Sequence, residues 1–249
     1  MHETIEQELD QIRNHPALEN DFYREWMSRC LTIEEIEIFA RNYGAWVRSF
    51  PDALATLVAT TSDLEAKGEY VKTLYSEMGY GNSSKAHSVL LDAFFRALAG
   101  KLGDGSRLDW ERLEHEVDIL PSTQELLAGE MELYRDADMS VGAQLALEWQ
   151  AYTMLRKLYE GARNYLHLWD KPDEFHEACE YFYAHIGAAE KDHKEESLKA
   201  LMRSAARGSL AKIMQGYNMH LDLIFGFWKG LSQMTASESP RGNPASAAH

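Results

Sequence analysis

Apolar residues recur at helical spacing along almost the whole chain, and no stretch alternates apolar and polar residues over the length of a strand. Thr32-Ile33-Glu34-Glu35 reads as a capping box, opening a helix whose apolar face carries Ile36, Phe39, Ala40, Tyr43 and Val47. Pro16, Pro51, Pro121 and Pro172 each stand where a first-turn proline would, just ahead of a helical pattern. The same periodicity predicts helices over 52–78, 84–102, 122–134, 140–168, 173–206 and 208–234. From residue 235 the text turns to Ser, Ala, Pro and Gly with little to bury, which predicts a disordered tail over 235–249. No repeat or linker interrupts the pattern, so a single all-α domain over 1–234 is expected.

Composition narrows the class. With 45% hydrophobic residues and 11% aromatic ones, the chain can build a packed core. Its formal net charge of −15 repels phosphate backbones, and no basic patch offsets it, so nucleic acid is excluded as a partner. No apolar run reaches the roughly 18 residues of a membrane span. Two cysteines without paired spacing and an acidic, amphipathic first segment point to a reducing, cytoplasmic setting. Cys179 lies among glutamates that would raise its pKa, so it reads as a packing residue rather than a nucleophile.

Of the ten histidines, His87, His185, His193 and His220 are placed where chemistry is conceivable. Glu190 and His193 are three apart on a predicted helix, a spacing that lets a carboxylate and an imidazole share an ion. His185 precedes His193 by roughly 12 Å of straight helix, too far for one ion but suited to two neighbouring ions. Mixed nitrogen and carboxylate donors favour non-haem iron over structural zinc. Only His193 has a glutamate three residues before it, which disfavours a ferritin-like bundle with two such motifs.

Two further carboxylates join this set. Glu77 closes one helical run, Gly79 and Gly81 interrupt it, and His87 enters the next apolar helix. Glu148 lies in a helix that is apolar nearly all round, where a carboxylate is costly unless it is paired or metal-bound.

A Glu followed ten residues later by a His across a Gly-rich break, then a Glu in an apolar helix, then a His-rich helix, resembles the haem-oxygenase-like di-iron oxidases and oxygenases. The segments 42–51 and 119–124 resemble that family and its relatives of the chlamydial protein associating with death domains. The resemblance covers roughly residues 15 to 230. It implies a compact seven-helix, haem-oxygenase-like bundle, often dimeric, holding two irons per chain. Glu77, His87 and His185 would lie near one iron, and Glu148, Glu190 and His193 near the other; the catalytic set is the same group without Glu190. The family's late-helix pattern, His-x3-Asp-x2-His, is not met in register. A π-bulge after His185 would bring Glu190 and His193 into place, and Asp192 is the competing ligand in a regular helix.

The implied function is O2-dependent oxidation of a small molecule, an amino acid or amine, in a biosynthetic pathway and with an external electron donor. The rival reading is a protein-interaction module on the same fold with a vestigial metal site. Tyr75, Tyr80, Tyr152, Arg156, Tyr159 and Lys194 lie near the ligand segments and are the candidates for holding a substrate.

Overall fold

The computed structural model describes residues 15–186, 198–203 and 210–238, the side chains of 185, 186 and 236–238 excepted. Among them the regular structure is entirely helical. Helix α1 (Asp21–Ser28) is capped by Asn20, whose side chain accepts from Tyr23 N at 2.9 Å. Helix α2 (Ile33–Thr60) opens on the expected capping box, with Thr32 and Glu35 each accepting from the other's backbone N–H. Then follow α3 (Leu64–Glu77), α4 (His87–Leu102), α5 (Trp110–Glu116), α6 (Pro121–Arg135), α7 (Met139–Ala162), α8 (Pro172–Ala178), α9 (Glu180–Ile186) and α10 (Leu210–Glu238). That exceeds the seven helices implied by the resemblance, and the surplus consists of pieces of eight residues or fewer.

Pro16 lies in a turn ahead of α1 rather than in its first turn, and three further boundaries differ from expectation for identifiable reasons. Pro51 does not start a helix: α2 runs straight through it. A mid-helix proline costs about 3 kcal/mol, but continuing the helix delivers Ala53, Leu54 and Leu57 to an apolar cluster with Tyr70 and Tyr134. The end comes instead at Thr61, whose hydroxyl donates to the Leu57 carbonyl at 2.7 Å. The expected helix over 173–206 breaks at Cys179, with no proline or glycine to announce it. Phe175, Cys179 and Phe182 would share one face of a continuous helix, while Tyr181 would point elsewhere. The break re-aims the chain so that all four are buried. At the other end, α10 continues to Glu238, past the expected boundary at 234. Thr235 is buried and donates to Glu25 Oε2 at 3.1 Å, tying this end of the helix to α1.

The core forms where α10 lies along α7, α6, α1 and α2. The α7–α10 crossing is close because Gly142 and Gly216 lie against the other helix's backbone, Gly142 at the Ile213 carbonyl and Gly216 at the Met139 carbonyl. Beside it an aromatic cluster joins three helices. Tyr23 and Trp228 have ring centroids 4.7 Å apart, Phe22 and Trp228 5.3 Å, and Trp46 and Phe227 5.3 Å. No helix among the described residues is long and apolar enough to cross a membrane.

Candidate metal centre

Glu77 is the last residue of α3 and His87 the first of α4, so both sit at helix ends facing the gap between them. The chain closes that gap through Gly79, Tyr80 and Gly81, at φ of 71°, 55° and 85°. Three consecutive left-handed residues reverse the chain tightly, and such a conformation favours glycine. Gly79 is required on a second count: a Cβ there would lie 2.5 Å from the Lys85 carbonyl carbon. The reversal seats 85–86 against 79 and returns His87 to Glu77. His87 Nδ1 stands 2.8 Å from Glu77 Oε2, with both side chains largely buried.

Glu148 reaches the same space from α7, as one of the residues lining a cavity with Glu77 and His87. The cavity's volume is about 70 Å³, room for several water-sized groups. Its apolar wall is built by Tyr43, Trp46, Phe50, Leu147, Met154 and Tyr181, among others. Tyr43 and Tyr181 share a hydrogen bond of 2.8 Å between their hydroxyls. Burial pushes the Tyr43 phenol up, and the nearby Glu77 charge adds to this.

Burial likewise raises the Glu148 carboxyl to about 7, opposed by an N–H from Gln144 and reinforced by Glu77. Gln144 Nε2 donates to Glu148 Oε1 at 2.6 Å, and Tyr134 OH donates to Gln144 Oε1 at 2.7 Å. Two carboxylates and an imidazole thus face one cavity, and its described lining holds no lysine or arginine. Such an arrangement is relieved by a proton or by a cation. The donor atoms, oxygen and imidazole nitrogen, suit iron.

The described residues alone do not complete an ion's coordination: among them no three His, Cys, Asp or Glu side chains are gathered tightly enough to hold a metal. Of the other expected ligands, His185 lies in α9 with its side chain outside the described set, and Glu190, Asp192 and His193 fall outside it altogether. The expected π-bulge falls there too.

Of the substrate candidates read from the sequence, Tyr75, Tyr80, Tyr152, Arg156 and Tyr159 do not line the cavity. Tyr75, Tyr80 and Tyr152 are exposed, Tyr159 bonds to Tyr183 at 2.7 Å, and Lys194 lies outside the described residues. The tyrosines that do line it, Tyr43 and Tyr181, are buried residues of α2 and α9. Tyr43 was legible only as a core position, and nothing in the sequence around Tyr181 marks it out. Cys179 is buried as expected, and its thiol is pushed up to about 12 by burial rather than by neighbouring glutamates. His220, the fourth histidine, is buried in a different pairing. Its Nδ1 is 2.6 Å from the Ala143 carbonyl and its Nε2 is 3.0 Å from Glu130 Oε1. Glu130 in turn accepts from Trp46 Nε1 at 3.3 Å, on the cavity wall.

Comparison with known proteins bears on the family and the fold. The model of the iron-containing redox enzyme family matches residues 37–224. A 4-aminobenzoate synthase of Chlamydia muridarum is 33% identical over 72 residues, 28% of this chain and 30% of that protein. That match spans under a third of the relative. A 4-aminobenzoate synthase of Chlamydia pneumoniae is 24% identical over 232 residues, 92% of this chain and 94% of that protein. Among solved structures, a CADD-like protein of unknown function from Nostoc punctiforme superposes with a TM-score of 0.72 at 15% identity, covering 94% of this chain and 98% of that one. A domain of unknown function with a haem-oxygenase-like fold from Shewanella denitrificans gives a TM-score of 0.59 at 15% identity, covering 97% of each chain. The fold is therefore all-α and haem-oxygenase-like.

Proposed function

We propose that this chain, which belongs to the iron-containing redox enzyme family, is a non-haem di-iron enzyme that uses O2 to oxidise a small amine or amino acid. The observation that carries the reading is the buried Glu77–His87 pair facing Glu148 across one cavity without a lysine or arginine in its described lining. Glu77, His87 and His185 are assigned to one iron, and Glu148, Glu190 and His193 to the other. Bound iron would supply reductive activation of O2, with electrons from an external donor.

The chain's own residues contribute three things. The carboxyl of Glu148, raised to about 7 by burial, holds a proton that a cation would displace. The rings of Tyr43, Trp46, Phe50 and Tyr181 exclude bulk water and offer a flat apolar surface to an aromatic or aliphatic body. The hydrogen-bonded Tyr43–Tyr181 hydroxyls are polar groups on that wall, able to orient a substrate amine. The name of the chlamydial relatives, 4-aminobenzoate synthase, points to a product that bears an amine and supports the same class.

The test is anaerobic loading with Fe(II), followed by O2 consumption measured against panels of amines, amino acids and fatty acids. Iron-dependent O2 uptake stimulated by an amine or amino acid is expected. A protein that takes up no iron, or responds only to fatty acids, contradicts the reading.

A further inference from the structure

The geometry points to Gln144, held between Tyr134 and Glu148, as the positioning residue that caps Glu148 Oε1 and favours Oε2 as the oxygen offered to a cation; this rests on the metal-site reading above. Gln144 and Glu148 lie four apart on α7, hence on one face of the helix. Gln144 and Tyr134 are fully buried, and Glu148 is 6% exposed. No bulk water competes for these groups.

A glutamine amide presents oxygen at one end and N–H at the other, and can be turned over unless its surroundings distinguish the two. Here they do. Tyr134 OH, from α6, donates to Gln144 Oε1 at 2.7 Å, so the amide oxygen is committed to α6. The amide nitrogen must then face Glu148, and its N–H reaches Oε1 at 2.6 Å. With Glu148 ionised, as a bound cation requires, turning the amide over would set two acceptors against each other in a site of low dielectric. The Tyr134 hydroxyl, which can donate or accept, completes this orientation by donating to the amide oxygen.

One lone pair of Glu148 Oε1 is therefore taken by a hydrogen bond, while Oε2 carries none from Gln144. A carboxylate capped in this way is biased toward binding an ion through the uncapped oxygen rather than chelating it with both. Partners that orient a ligand from outside the coordination sphere commonly change metal affinity by about 10- to 100-fold.

Two variants test the assignment, each compared with the wild-type chain by anaerobic Fe(II) titration and by iron-loaded minus metal-free infrared difference spectra of protein labelled with 13C-glutamate. Gln144→Met keeps the length and removes the N–H. Tyr134→Phe removes only the hydroxyl that orients the amide, and keeps the test open where Gln144→Met fails to fold. In wild type the asymmetric and symmetric carboxylate stretches of a binding glutamate should be widely separated, as for one-oxygen ligation. In both variants that separation should narrow and iron affinity should change by about tenfold or more. Variants that melt earlier but keep the wild-type affinity and band separation would show that Gln144 only packs, and would overturn the inference while leaving the iron site standing. A wild-type chain that takes up no iron would overturn both.

Discussion

His87 Nδ1 lies 2.8 Å from Glu77 Oε2 although nine residues of chain separate them. The contact exists because α3 ends on one partner and α4 begins on the other, with three left-handed residues folding the connection flat. The candidate metal centre thus depends on backbone conformation as much as on ligand identity.

Gly79→Ala should accordingly damage the site. A residue with a Cβ is strained at φ 71°, and this Cβ would lie 2.5 Å from the Lys85 carbonyl carbon. A loss of about 1–3 kcal/mol in stability is expected, with weakened iron uptake. Gly68→Ala is the control: its Cβ would enter open space in the middle of α3, so a gain of about 0.5–1 kcal/mol is expected. Thermal melting and iron titration of the two variants check this. Equal behaviour of both would contradict the account of the turn.

The fold class was legible because helical periodicity, the Thr32–Glu35 box and the prolines at 121 and 172 are local signals. The same local logic misplaced Pro51 and missed the break at Cys179, since both outcomes are decided by what the flanking residues bury rather than by propensity. In the site, Glu77 and His87 could be found from the glycines between them, and Glu148 from its apolar surroundings. Gln144, Tyr134 and Tyr181 could not. Gln144 acts through Glu148 in its own helix and Tyr134 across the turn between α6 and α7, Tyr181 through Tyr43 in a helix distant in sequence, and an isolated Gln or Tyr on an apolar helix reads as packing.

Glu148 gives the metal-free protein a pH signature. Its carboxyl is raised from an ordinary 4.5 to about 7, mainly by burial. Between those values the native state keeps a proton that the unfolded chain has released. The contribution to stability is full below about 4.5 and is lost as pH rises through 7, by up to roughly 3 kcal/mol. Urea unfolding of metal-free protein at pH 5 and pH 8 should show this fall, and Glu148→Gln should flatten it. An identical pH dependence in the variant would mean that Glu148 titrates normally.

The His220–Glu130 pair is a second buried polar unit, next to the cavity wall. Neither side chain reaches solvent. Because a carbonyl only accepts, His220 Nδ1 must carry the proton given to Ala143 O. Replacing His220 alone by Leu leaves Glu130 buried with Trp46 as its remaining donor, at an expected cost of about 3–5 kcal/mol. Replacing both residues by Leu should recover much of that loss. Denaturant unfolding of the single and double variants decides it: a single-variant cost under about 1 kcal/mol would contradict the pairing.

In the function proposed above, two irons bind through Glu77, His87 and Glu148 together with the late histidine-rich segment. The most direct measurement is iron counting with Mössbauer spectroscopy on protein loaded anaerobically with Fe(II) and then exposed to O2, for wild type and for His87→Ala. The account predicts about two irons per wild-type chain, appearing after O2 as an antiferromagnetically coupled diferric pair. It predicts that His87→Ala loses iron while keeping its helical circular dichroism. Wild-type protein that binds no iron, or binds the same iron with His87 removed, would contradict it.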